Sequence, residues 1–82
     1  MNKNVEIPVE VRDWYNASRI YAISYLAVWD EKATEENIAM VIRRSWLKGE
    51  GYDLTDGLML PAREAAAAIG FDVYQFINHG AL

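Results

Sequence analysis

The apolar positions of this chain are densest between residues 13 and 29, in the stretch DWYNASRIYAISYLAVW. At helical spacing these apolar side chains fall on two nearly opposite sides. One side holds Trp14, Ala17, Tyr21, Tyr25 and Val28. The other holds Ile20, Ile23 and Ala27, with Leu26 beside them. A surface helix needs a single apolar stripe, so the pattern predicts a central aromatic-rich helix that other helices or a second molecule must cover.

The segment before this helix leaves two alternatives open. Residues 5–11 alternate apolar and polar side chains, which is typical of a strand, and Pro8 would confine that strand to a sheet edge. In the other alternative Pro8 lies in the first turn of an early-starting helix, where its missing N–H is not needed. No convincing partner strand exists in the sequence, so we favour the helix.

A second helix is indicated between Thr34 and Gly49. Thr34 is a good N-cap, and the two glutamates after it lie where the helix dipole favours carboxylates. Lys48 in the last turn and Gly49 beyond it are stop signals. The predicted buried stripe consists of Ile38, Val41, Ile42, Ser45 and Trp46. Met40 and Leu47 lie off that stripe, seven residues apart, and predict a second, smaller contact.

Turn-forming residues are concentrated in residues 49–60, GEGYDLTDGLML. Asp56-Gly57 between two short apolar runs predicts either a short hairpin or an ordered loop at 50–60. Two strands of this length are marginally stable alone. We therefore favour the ordered loop, with a turn of positive backbone angles at Gly57.

Two further helices are predicted after this loop. Pro61 opens the third, and Gly70 ends it. Asp72 caps the fourth, with Gln75 placed as in a capping box and Gly80 as the stop. Its apolar face consists of Val73, Phe76 and Ile77. The expected fold is all-α, a single helical domain over residues 1–82, with about four helices packed around the central aromatic-rich one.

Composition narrows the class of protein. The 82 residues are 52% hydrophobic, which excludes a disordered chain and suits one small domain. There is no cysteine, so disulfides and thiolate metal sites are excluded. The N-terminus lacks a signal-peptide pattern, and the longest apolar-rich run is about half of a membrane span. We expect a soluble, cytoplasmic protein.

Neither enzyme chemistry nor phosphate binding is favoured by the charged residues. The net charge is −4, and no lysine or arginine follows Arg63, whereas nucleic-acid binding depends mainly on cations that neutralise phosphates. His79 is the single histidine, and no nucleophile or carboxylate is placed beside it by the sequence. We therefore predict no catalytic residues, no metal site and no cofactor.

The most specific motif, residues 61–80, has helix-turn-helix spacing. Ala66 is small enough for a close approach of the second helix, Gly70 supplies the turn, and Phe76 is the apolar residue that follows. In a DNA-binding regulator, the alternative function, the reading residues would be Tyr74, Gln75, Asn78 and His79. That helix carries no cation to hold the DNA backbone. We therefore consider nucleic acid an unlikely partner.

Seven large aromatic residues lie within the first 52 positions, more than one small core needs. Tyrosine and tryptophan are enriched in interface hot spots, and we predict that Tyr15, Tyr25 and Trp29 face another protein or a second copy. Because the first helix is apolar on two sides, we expect a homodimer that meets along it.

The predicted function is non-enzymatic protein–protein interaction. In size, acidity, aromatic richness and lack of catalytic residues, the chain resembles in kind the small inhibitor proteins of phages and other mobile elements, such as anti-CRISPR proteins. That resemblance implies an inhibitor or modulator of a larger protein machine. A second alternative to the DNA-binding regulator is an antitoxin-like or subunit-like accessory protein.

Overall fold

A computed structural model describes residues 6–49 and 55–78 of the chain. These residues form four α-helices and no strand, which confirms the all-α prediction. The helices are α1 Val9–Val28, α2 Glu35–Lys48, α3 Asp56–Ile69 and α4 Val73–Asn78. The molecule measures 39 × 27 × 17 Å. Because helix axes pack about 8–10 Å apart, the 17 Å dimension accommodates two layers of helices.

The start of α1 decides between the two alternatives for residues 5–11. Pro8 is the N-cap of α1, and its carbonyl accepts hydrogen bonds from Val11 N at 3.0 Å and Arg12 N at 3.1 Å. The helix alternative is therefore correct from Val9 onwards. A proline fits here because the first N–H groups of a helix have no partner within it.

The other helices cover one side of α1. The buried stripe follows helical spacing and consists of Val11, Trp14, Tyr15, Ser18, Ala22 and Leu26. On the opposite side Ile20 is 64% exposed and Ile23 is 43% exposed. In the described chain, α1 is therefore not wrapped from both sides. The predicted division into two sides is wrong in part, because Leu26, placed beside Ile20 and Ile23, is buried, whereas Val28, placed with Trp14, is exposed.

Both ends of α2 lie where the sequence predicts them. The Thr34 hydroxyl accepts a hydrogen bond from Asn37 N at 3.1 Å, and Gly49 ends the helix with φ of 70°. Trp46 packs on Trp14 with ring centroids 4.9 Å apart. The Arg63 guanidinium lies over the Trp46 ring, 4.3 Å from its centroid, and donates a hydrogen bond to the Trp46 carbonyl. These contacts join α1, α2 and α3.

The predicted turn at Asp56-Gly57 and the predicted start of α3 at Pro61 are both wrong. Asp56 and Gly57 lie in the first turn of α3, so they cannot form a hairpin turn; residues 50–54 lie outside the described chain. Burial explains the early start, because Thr55 and Met59 pack inside together with Ala62 one turn later. Pro61 removes a single helical hydrogen bond near the start of the helix, and this packing outweighs its loss.

The predicted end of α3 at Gly70 and the predicted start of α4 after Asp72 are confirmed, whereas the predicted stop at Gly80 lies outside the described residues. Gly70 takes the left-handed conformation with φ of 67°, and Phe71 N donates to the Ala66 carbonyl at 2.8 Å. Asp72 caps α4, since its Oδ1 accepts a hydrogen bond from Gln75 N at 3.0 Å. All three residues of the predicted apolar face are buried, namely Val73, Phe76 and Ile77. Helix α3 packs on α1, and α4 packs on α2.

Two glycines provide a matched test of the corrected α3. At both Gly57 and Gly70 an added Cβ would meet nothing within 4 Å, so backbone conformation alone distinguishes them. We expect Gly57→Ala to raise the free energy of unfolding by about 0.5–1 kcal/mol, because alanine is the better helix former. Gly70→Ala should lower it by about 1 kcal/mol, because φ is positive there. Urea unfolding measures both, and a loss of stability in Gly57→Ala would contradict the helical start at Asp56.

Candidate functional site

Tyr15, one of the three predicted partner-facing residues, lies in the core. Its side chain is 4% exposed, and its ring meets Phe76 edge-on with centroids 5.1 Å apart. The prediction that Tyr15 faces a partner is therefore corrected. Tyr15 belongs to the buried stripe of α1, on the side that α4 covers.

Tyr25 and Trp29 lie at the other end of α1, in a row of three rings. Centroids are 5.8 Å apart for Tyr21 and Tyr25, and 6.3 Å apart for Tyr25 and Trp29. The four-residue spacing places these rings one helical turn apart on the same side of α1. Trp29, the C-cap residue, is 64% exposed, whereas Tyr25 is half-buried.

These two rings form one wall of a groove between α1 and α2, which we call the α1/α2 groove. Its volume is about 250 Å³. Its lining consists of Tyr25, Leu26, Trp29, Glu31, Met40, Val41 and Arg44. Asp30 adopts a φ of 57°, and Glu31 N donates to the Leu26 carbonyl at 2.8 Å. This reversal of the chain after α1 positions Glu31 at the groove.

The α2 wall continues beyond the groove as an exposed row. Met40, Arg44 and Leu47 are spaced four and three residues apart, so they share one side of the helix. All three side chains are exposed. The smaller contact predicted for Met40 and Leu47 is therefore not made inside the described chain. Together with Tyr25 and Trp29, this row makes a surface that combines aromatic, thioether, aliphatic and guanidinium groups.

Arg44 differs from three other arginines of the described helices. Arg19 forms two hydrogen bonds to Glu35, at 2.8 and 3.0 Å, Arg43 Nη1 donates to Asn78 Oδ1 at 2.8 Å, and Arg63 contacts Trp46. Arg44 makes no salt bridge within residues 6–49 and 55–78, although Glu31 lies in the same groove. Its guanidinium therefore remains available beside the aromatic wall.

The Arg19–Glu35 pair has a structural role. Hydrogen bonding to Arg19 lowers the pKa of Glu35, and hydrogen bonding to Glu35, then to Tyr15, raises the pKa of Arg19. The pair connects the middle of α1 to the first turn of α2. A carboxyl group with a lowered pKa stabilises the fold at pH values above its pKa in the unfolded chain. This contribution is lost as the pH falls through its pKa in the folded chain. Because Glu35 is exposed, the contribution is screened and small.

The α3–α4 hairpin has helix-turn-helix spacing, with Ala66 and Phe76 buried around Gly70. Of the four residues of the DNA-reading alternative, Tyr74, Gln75 and Asn78 are exposed, and His79 lies outside the described residues. The Asn78 amide oxygen is already bonded to Arg43. Helix α4 has six residues, three of them buried, and it contains no lysine or arginine.

We therefore predict that the chain does not bind DNA specifically. An electrophoretic shift or anisotropy titration with a panel of duplexes of different sequence at about 150 mM salt should give no sequence-dependent binding below the micromolar range, since specific complexes are typically tighter than that. A submicromolar shift that depends on sequence, with a steep salt dependence, would restore the regulator alternative.

Other recognisable sites were not found in the part of the chain that the structure describes. Its His, Cys, Asp and Glu side chains form no group of three or more that could hold a metal ion. None of its helices combines the length and apolar character needed to cross a membrane. No protein-family model, curated protein or solved structure matches the chain.

Proposed function

We propose that this chain is a non-enzymatic protein-binding module and that the α1/α2 groove receives the partner. The observation that carries the proposal is Trp29, a large aromatic residue 64% exposed at the edge of a concave, mostly apolar groove. Tryptophan, tyrosine and arginine dominate interface hot spots, and methionine is enriched at interfaces. All four residue types line this groove.

Exposed apolar residues elsewhere do not support a partner site equally well. Leu60 is exposed alone, and single exposed apolar residues are normal. Val9 and Ile69 line a larger groove of about 580 Å³ between the start of α1 and α3, but its lining contains two glutamates and neither an aromatic residue nor an arginine. The α1/α2 groove differs because its apolar lining includes tryptophan, tyrosine and methionine, and because Arg44 beside them has no ion pair among the described residues. These features favour it as the binding surface.

We also propose what kind of protein the partner is. We keep the interpretation that the chain is a cytoplasmic inhibitor or modulator of a larger protein machine, of the phage or mobile-element type that includes anti-CRISPR proteins. Its small size and net charge of −4 support this interpretation by resemblance in kind. An antitoxin-like or subunit-like accessory protein would use the same groove.

The proposed homodimer uses a different side of α1. Ile20 and Ile23 lie opposite the buried stripe, where a twofold axis would bring each α1 against its copy. We expect sedimentation equilibrium at tens of micromolar to give about twice the 9.4 kDa of one chain, and Ile20→Glu to give the monomer mass. A mass near 9.4 kDa for the parent protein would contradict the homodimer, and the α1/α2 groove would then be the one proposed interface.

Site-specific photo-crosslinking in cells that naturally contain the protein tests the groove. The photoreactive residue benzoylphenylalanine replaces Trp29 in one variant. In the matched control it replaces Ile69, which is exposed at the end of α3 and lines the larger groove. We expect a discrete crosslinked protein from position 29 and none from position 69. Crosslinking from position 69 alone, or the same products from both positions, would contradict the assignment of the partner to the groove.

A further inference from the structure

We propose that the α1/α2 groove binds an amphipathic helix that carries a carboxylate beside its apolar anchor residues. This inference rests on the proposed protein-binding function and specifies the chemistry of the partner. Its basis is the charge around the groove, where Arg44 has no ion pair within residues 6–49 and 55–78 and Lys48 follows it one helical turn later on α2.

Arg44 is well placed to bind a carboxylate. Its guanidinium can donate two parallel hydrogen bonds to one carboxylate, and such charge-assisted pairs are stronger than neutral ones. The neighbouring walls of Trp29 and Met40 would exclude water from that pair once a partner covers them. Although the chain has a net charge of −4, Arg44 and Lys48 together provide a local positive charge that attracts and orients an acidic partner.

The shape of the surface favours a helix as the partner element. The row of Tyr25 and Trp29 on α1 and the row of Met40, Arg44 and Leu47 on α2 form two ridges. A third helix can place residues at i, i+3, i+4 and i+7 between such ridges. An extended peptide would instead need a sheet edge, and residues 6–49 and 55–78 contain no strand. The volume of about 250 Å³ is also below that of typical small-molecule pockets.

A nucleic acid is the competing occupant, because bases stack on aromatic side chains and on arginine. The acidic residues at the end of α1 disfavour it. Asp30 follows Trp29 directly, and Glu31 lines the groove itself. A single strand brings one phosphate per nucleotide past these carboxylates, whereas a helix can place a single carboxylate over Arg44 and an uncharged residue near Glu31.

A displayed library of helical peptides tests the inference. Leucine is fixed at i, i+3, i+4 and i+7, and the flanking positions vary among Glu, Lys, Gln and Ser. We expect selection on the purified chain to enrich glutamate at one flanking position. The selected peptide should bind Arg44→Glu at least tenfold more weakly, and changing that glutamate to lysine should restore binding to Arg44→Glu. Trp29→Ala should weaken both peptides, while circular dichroism confirms that each variant is folded.

Other outcomes would overturn the inference. Peptides that depend on Trp29 but show no preference for glutamate would contradict the carboxylate on the partner helix, while the proposed protein-binding function would still hold. If no peptide is enriched, the helical partner is wrong, and the crosslinking at position 29 still decides the proposed function. Displacement of the peptide by oligothymidylate would assign the groove to nucleic acid, and self-association lost in Trp29→Ala would assign it to a second copy.

Discussion

Replacing Trp14 by alanine should lower the free energy of unfolding by about 3–5 kcal/mol, the range measured for deletion of a buried large aromatic side chain. Trp14 is 0% exposed and packs against Trp46 at the junction of α1 and α2. A domain of this size has a total stability of about 4–12 kcal/mol. The loss is therefore a large part of the total, and urea unfolding followed by circular dichroism should show a midpoint far below that of the parent protein.

Two matched variants separate burial from the loss of an indole. Trp29→Ala removes an exposed tryptophan from the C-cap of the same helix. It should change the free energy of unfolding by less than about 1 kcal/mol. Trp14→Phe should cost less than Trp14→Ala, because a ring remains and because the Trp14 Nε1–H has no hydrogen-bond partner among the described residues. Equal losses for Trp14→Ala and Trp29→Ala would contradict the position of the core.

Ile77→Asp should cost about 3 kcal/mol or more, because it places a charge at a fully buried position of α4. The expected result follows from the role of α4, which packs on α2 and buries Val73, Phe76 and Ile77. A recognition helix that stood away from the protein would tolerate the change. Thermal unfolding of the variant measures the effect.

The control for this variant is Asn78→Asp, which adds the same carboxylate one residue later. Asn78 is exposed and already accepts a hydrogen bond from Arg43, so the new charge gains a cationic partner. We expect the melting temperature of Asn78→Asp to be unchanged or slightly higher. Similar destabilisation by both variants would mean that burial of the substituted position does not determine the loss of stability.

Local signals explain which parts of the fold were predictable. The ends of α2 depend on Thr34 and Gly49, residues that act on their own neighbours, and both ends were predicted correctly. The start of α3 was missed because the preference of Pro61 for a first turn is also local. Burial of Thr55 and Met59 decided the outcome, and burial depends on residues distant in sequence.

The same distinction applies to the candidate site. Aromatic residues surround much of α1, so spacing alone could not show that α4 covers Tyr15 while Trp29 remains exposed. Arg44 was missed as a groove residue. A signal was present, since Arg44 lies between Met40 and Leu47 on a side of α2 that the apolar stripe does not use. Recognising it required knowing that this side meets the end of α1.

The most direct test of the central claim, binding through the α1/α2 groove, is ¹⁹F NMR of the chain labelled with 5-fluorotryptophan. Its three tryptophans report on three environments: Trp14 in the core, Trp46 partly buried under Arg63, and Trp29 at the groove. The titrant is the protein crosslinked at position 29, purified separately. We predict that the Trp29 resonance shifts or broadens on binding while the Trp14 resonance keeps its position. Binding that leaves the Trp29 resonance unchanged would contradict the account.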